Sequence, residues 1–61
     1  MKSDLIDIAV ELRHESKGAY LIHDGLREAW IPKSQCELDD SDPHACIITM
    51  PEWLAREKGL I

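Results

Sequence analysis

The chain has 61 residues, a formal net charge of -5 and an apolar fraction of 44%. That length holds one domain, residues 1–61, and excludes a second. The apolar share supports a small core despite 31% charged residues, which sets disorder aside, and the acidic balance counts against gripping duplex nucleic acid by phosphate neutralisation.

A chain this short buries only about 60% of the surface its unfolded form exposes. Disulfides, a metal or oligomerisation are the usual aids at this size. The opening MKSD has neither an apolar h-region nor a cleavage pattern. No apolar run approaches the roughly 18 residues that span a bilayer. The expectation is a cytosolic protein without membrane contact, in which Cys36 and Cys46 stay thiols.

Residues 5–12 alternate well. Ile6, Ile8, Val10 and Leu12 point one way and Asp7, Ala9, Glu11 and Arg13 the other, the mark of a strand with one face on the core. The polar stretch 14–18 ends in Gly18 and reads as a turn. Residues 19–23 and 27–31 form a hairpin around Asp24-Gly25, a pair that tolerates the positive φ of tight turns. A two-residue loop there sets Tyr20 opposite Ala29. A three-residue loop, Asp24-Gly25-Leu26, sets Tyr20 opposite Trp30 and Leu21 opposite Ala29. The second register is preferred, because it collects Ala19, Leu21, Ala29 and Ile31 on one core face and leaves Tyr20, Ile22, Glu28 and Trp30 on the other.

Pro32 ends the hairpin, since it cannot donate to a ladder, and residues 32–35 read as a turn or a single 3₁₀ turn. Cys36-Glu37-Leu38 is a candidate extension back along the sheet. Asp39, Asp40 and Asp42 then make a solvated, mobile acidic loop. Residues 45–49 are largely β-branched and bounded by Pro43 and Pro51, which predicts a strand. Thr49-Met50-Pro51-Glu52 fits a capping box for a short helix. Gly59 is its natural stop, with Leu60 folding back. Fewer than about three turns cannot stand alone in water, so Trp53 and Leu54 are expected to dock on the sheet. The whole is α+β, mostly β: a small curled antiparallel sheet or open barrel, ββββα, with a short C-terminal helix.

AWIPKSQ at residues 29–35 and MPEWLAREKGLI at residues 50–61 together resemble a group of small proteins encoded by bacteriophages and prophages. Those proteins carry a hairpin ending in WIPKSQ, an acidic variable loop and a closing PEWLA-x-EKGL segment. The likeness covers roughly the last two thirds of the chain. It implies a bacterial or phage origin, a cytoplasmic setting in the bacterial host and a part in phage–host interplay. It brings no catalytic residues with it.

Cys36, His44 and Cys46 could be gathered into a zinc site with His23, but the C-x7-H-x-C spacing lacks the close ligand pairs of structural zinc. A core role for Cys46 and a strand-end place for Cys36 fit better. A Cys36–Cys46 disulfide around the acidic loop is disfavoured by compartment. A cysteine nucleophile with a histidine base would need an orienting third group and a pocket, and a domain this small rarely builds one. The acidic loop lacks the D-x-D-x-D-G pattern and closing glutamate of a calcium loop. No enzyme activity and no cofactor or metal is expected.

Tyr20 and Trp30, if neighbours on an outward face, would make an aromatic platform. With Arg13, Arg27 and Lys33 nearby, that platform would suit single-stranded nucleic acid. Against it, a domain with no phenylalanine needs its large residues inside, so Trp30 is expected under the helix against Trp53. The favoured function is a non-enzymatic phage or prophage accessory protein that binds another protein, including an inhibitor or nucleic-acid charge mimic directed at a host factor. The interaction residues are Tyr20, Arg27, Trp30 and Lys33 on the hairpin, then Asp39, Asp40 and Asp42. A homodimer through an open sheet edge is one form of it. The alternative is a single-stranded nucleic-acid-binding accessory using the aromatic and basic sheet face.

Overall fold

The first strand runs further than its sequence pattern, and the whole sheet is wound around it. The structure, a computed structural model, describes residues 4–42 and 44–61. Residues 1–3 and Pro43, the proline expected to bound the last strand, lie outside the described residues. In chain order the elements are β1 (Leu5–Glu15), β2 (Ala19–His23), β3 (Glu28–Pro32), a 3₁₀ turn (Lys33–Gln35), β4 (Glu37–Asp39), β5 (Cys46–Pro51) and α1 (Glu52–Glu57). The strands form one five-stranded antiparallel sheet in the order β3-β2-β1-β5-β4. The expected mostly-β class with a short C-terminal helix is the observed one, with Glu37–Asp39 as an added strand.

β1 serves two partners. Its first half pairs with β5, from Leu5↔Pro51 to Val10↔Cys46. Its second half pairs with β2, through Glu11↔His23 and Leu12↔Ile22. The register then shifts between Leu12 and His14, and pairing resumes at His14↔Leu21 and Glu15↔Tyr20. Such a bulge leaves one residue over, here Arg13, and increases local twist. It also resets the alternation: His14, which a strict period of two would send inward with Leu12, lies on the outward face instead. This is why the strand continues to Glu15, where a turn was expected. The turn shrinks to residues 16–18, closed by the Ser16 N–H on the Ala19 carbonyl at 2.8 Å.

The β2–β3 register corrects both expected alternatives. Tyr20 faces Ile31, Leu21 faces Trp30 and Ile22 faces Ala29. Asp24 is the cause. Its carboxylate accepts the Leu26 N–H at 2.9 Å and the Arg27 N–H at 2.7 Å. Its own N–H donates to the Arg27 carbonyl at 3.0 Å, so Asp24 and Arg27 pair and the tip is Gly25-Leu26, with Gly25 at φ 107. One residue of slip exchanges the faces of one strand relative to the other. Ile22 and Ile31 are therefore buried with half-buried Tyr20 and Ala29 beside them, while Leu21 and Trp30 stand on the opposite side.

The core collects Val10, Ile22, Ile31, Cys46, Ile48, Met50, Leu54, Ala55 and Leu60 inside the curl. Cys46 packs there as a small apolar residue, fully buried in β5. α1 covers the cavity of the curl with Leu54 and Ala55. Trp53, expected to dock, is 55% exposed. About 200° of helix rotation separate it from Ala55, so the two cannot both face inward. The expected capping box is absent as well. Pro51 occupies the N-cap with no side-chain hydrogen bond. Thr49 is still in β5 and donates its hydroxyl across to Asp7 at 2.6 Å. The Glu52 N–H is satisfied by the Asp4 carbonyl at 2.7 Å instead. The C-terminus follows expectation: Gly59 takes φ 79, and the Leu60 N–H reaches back to the Ala55 carbonyl at 2.8 Å. Among the described residues, no helix is long and apolar enough to cross a membrane.

Candidate functional site: the outward sheet face

The rows of the ladder fix what the outward face presents. Crossing from β1 to β3, one row reads Glu11, His23, Glu28 and the next His14, Leu21, Trp30. Crossing from β1 to β4, one row reads Asp7, Thr49, Glu37 and the next Ala9, Ile47, Asp39. Carboxylates thus recur along the face around a small apolar patch. Trp30 is 43% exposed, and its ring makes a T-shaped contact with that of His14, 6.0 Å between centroids and 88° between planes. Leu21 lies between them in register, so the indole is braced from one side and open on the other.

Of the predicted interaction residues, this face carries Trp30 and, at its other end, Asp39. Tyr20 lies on the core side, and the Lys33 ammonium sits 5.0 Å from its ring centroid while bridging to Glu15. Arg27 lies over the helix terminus, its Nη1 3.3 Å from where a side-chain carbon on Gly59 would stand. Asp39 ends β4 and stands in the outward row with Ala9 and Ile47, at the opposite end of the sheet from Trp30, and Asp40 and Asp42 lie in the turn that follows. Asp39 accepts the Ser41 hydroxyl at 2.6 Å and the Ser41 N–H at 3.2 Å. Those two bonds, the hydroxyl foremost, hold its carboxyl below the usual value. Asp42 accepts the His44 N–H at 3.0 Å. The acidic segment is thus a turn tied by its own side chains. Trp30 alone of the predicted hairpin residues is presented outward on the sheet, and the expected Trp30–Trp53 core contact gives way to two exposed tryptophans.

Residue-type reasoning missed His14, Leu21, Glu11 and Glu28. The bulge at Arg13 decides the placement of His14 and the Asp24 turn that of Leu21, and neither has a spacing signal of its own, while Glu11 and Glu28 keep the side their alternation gives. A shallow open groove of about 460 Å³ lies where β1 passes from pairing with β5 to pairing with β2, lined by Glu11, Arg13, His23, Asp24 and His44 among others. Its charges are partly spoken for. Arg13 bridges to Glu11 at 3.0 Å, and His23 Nδ1 accepts the Gly25 N–H at 3.1 Å. The Arg27 N–H and then the Leu26 N–H hold the Asp24 carboxyl below its ordinary value.

Among the described residues, no three His, Cys, Asp or Glu side chains are gathered to hold a metal ion. The Cys36 thiol donates to the Pro32 carbonyl at 3.3 Å, and burial pushes its pKa up, away from the thiolate that nucleophilic chemistry needs. The Cys46 thiol is 3.4 Å from the Asp42 carbonyl. Comparison with known protein families, curated proteins and solved structures finds no match to this chain.

Proposed function

We propose that this chain is a small non-enzymatic accessory protein of phage or prophage origin, working in the bacterial cytoplasm by binding another protein. The observation that carries this reading is Trp30. In a domain with two tryptophans and no phenylalanine, an aromatic side chain is held outward, braced by His14 and Leu21, with the Glu11 and Glu28 carboxylates in the adjacent outward row. Exposed aromatic anchors with polar rims are what protein interfaces use. The open, shallow grooves favour binding over catalysis, because a reaction site needs a concave, water-excluding pocket. A net charge of -5 supports a basic target, with mimicry of nucleic-acid charge as one form of that. The single-stranded nucleic-acid reading needs Tyr20 and Trp30 side by side, and the register sets them on opposite faces.

The test is capture from bacterial lysate with tagged wild-type and Trp30→Ser protein, each with and without nuclease, followed by mass spectrometry. The expected result is a protein retained through nuclease treatment and lost with Trp30→Ser, while the thermal melt of that variant stays within a few degrees of wild type, a shift of about 1 kcal/mol or less. Retention that depends on nucleic acid would refute the reading.

A further inference from the structure

The β3 edge is where main-chain and side-chain recognition coincide. The Asp24 N–H donates to the Arg27 carbonyl at 3.0 Å, and the Lys33 N–H donates to the Gly18 carbonyl at 2.9 Å. Both bonds continue the register of Ile22↔Ala29 and Tyr20↔Ile31. Opposed residues in an antiparallel pair alternate between those that exchange hydrogen bonds and those that do not. Glu28, Trp30 and Pro32 fall at the second kind of position, so their main-chain groups turn away from β2. β3 is the last strand on that side of the sheet. Pro32 has no N–H to offer, and its carbonyl already accepts the Cys36 thiol. Among the described residues, no main-chain hydrogen bond outside the ladder involves Glu28 or Trp30. Their N–H and C=O groups form a short open template.

The side chains of the same two residues stand together on the outward face. The ion pairs among the described residues are Arg13–Glu11, Lys33–Glu15 and Arg56–Glu52, which leaves the Glu28 carboxylate without a cation. Trp30, two residues on, offers an indole open toward the edge side. An added antiparallel strand would place its own outward side chains opposite these two.

The geometry points to strand addition: the β3 edge binds an extended segment of a partner protein, with a Lys or Arg opposite Glu28 and a second Lys or Arg against Trp30. This rests on the protein-binding reading above and names the chemistry of the partner. Charge selects the occupant. A second copy would bring another net -5 and, paired antiparallel about Trp30, would set Glu28 opposite Pro32 with no cation supplied. A basic segment supplies the missing cation and can cover the indole by a cation–π contact.

The experiment titrates the isotope-labelled full chain with a short blocked peptide of alternating Lys and Val, and separately with its Asp–Val counterpart. The Lys–Val peptide should slow hydrogen exchange at the Glu28 and Trp30 amides, bind about fivefold or more tightly than Asp–Val, and lose that advantage in Glu28→Lys. Shift changes at His14 and Leu21 without slowed exchange at those amides would overturn strand addition. So would failure of the Lys–Val peptide to bind, or a homodimer by sedimentation that protects the same amides. In each of these cases, Trp30-dependent capture from lysate decides separately whether the protein-binding reading stands.

Discussion

Ile47 and Ile48 are neighbours of identical chemistry on opposite faces of β5, and truncating each in turn isolates the worth of facing inward. Ile48 is fully buried, set between Ile8 and Leu38 in the ladder, whereas Ile47 is 39% exposed, between Ala9 and Asp39. Removing a buried isoleucine's outer carbons costs about 2–5 kcal/mol through lost transfer energy and the cavity left behind. At about 0.05–0.15 kcal/mol per residue, a chain of this length has roughly 3–9 kcal/mol in total. Ile48→Ala therefore takes about a fifth or more of the stability. With roughly 4–8 °C of Tm per kcal/mol at this size, a loss near 3 kcal/mol lowers the melt by roughly 12–24 °C. Ile47→Ala forfeits the strand preference that both variants share, up to about 1 kcal/mol, and little more. Circular-dichroism melts and urea titrations at one protein concentration compare the two directly. An Ile47→Ala variant as damaged as Ile48→Ala would refute the assigned register of β5, because a one-residue slip exchanges those two faces.

Three further outcomes follow from single sites. Gly59→Ala should cost about 1–2 kcal/mol in urea unfolding, since Gly59 sits at φ 79, where a side chain is strained, and adding Arg27→Ala should recover little because the strain is in the backbone; unchanged stability would contradict the helix stop. The Asp24 carboxyl titrates below its ordinary 3.8 because the Arg27 and Leu26 N–H groups bond its charged form, so its contribution is whole above that value and is lost as pH falls through the lower folded-state value. Asp24→Ala should thus lower Tm at neutral pH and by progressively less below about pH 4, and a pH-independent difference would refute the turn geometry. Iodoacetamide at neutral pH should label Cys36 slowly in the native protein, because burial raises its pKa, and many-fold faster in denaturant, as followed by mass spectrometry; equal rates would place the thiol in open solvent.

Much of the candidate site was hidden from residue patterns because two local irregularities reset which side chains face outward. At Asp24 the carboxylate captures the amides of Leu26 and Arg27, which moves the hairpin tip to Gly25-Leu26 and turns Tyr20 and Ile22 inward, while Trp30 keeps the outward side. At Arg13 the bulge carries His14 to the face where it meets Trp30. Arg27 and Lys33 had the right type for a basic patch, but their long side chains are taken up by the helix terminus and by Glu15. Thr49 had the right spacing for a cap, yet it remains in β5 and bonds Asp7 across the sheet.

What the amino-acid order determined by itself was local and periodic. The alternation from Ile6 to Leu12 set the inward face of β1, Pro32 ended the hairpin, and Gly59 with Leu60 stopped and folded back the helix. Each of these depends on a residue and its near neighbours, or on one buried face. The tertiary structure alone decided which strands meet, how they slide past one another and where the tryptophans end up. Register is a contest between whole strands, settled by a single carboxylate at the turn and by which apolar set the curl can bury, and neither is written in the spacing of residues.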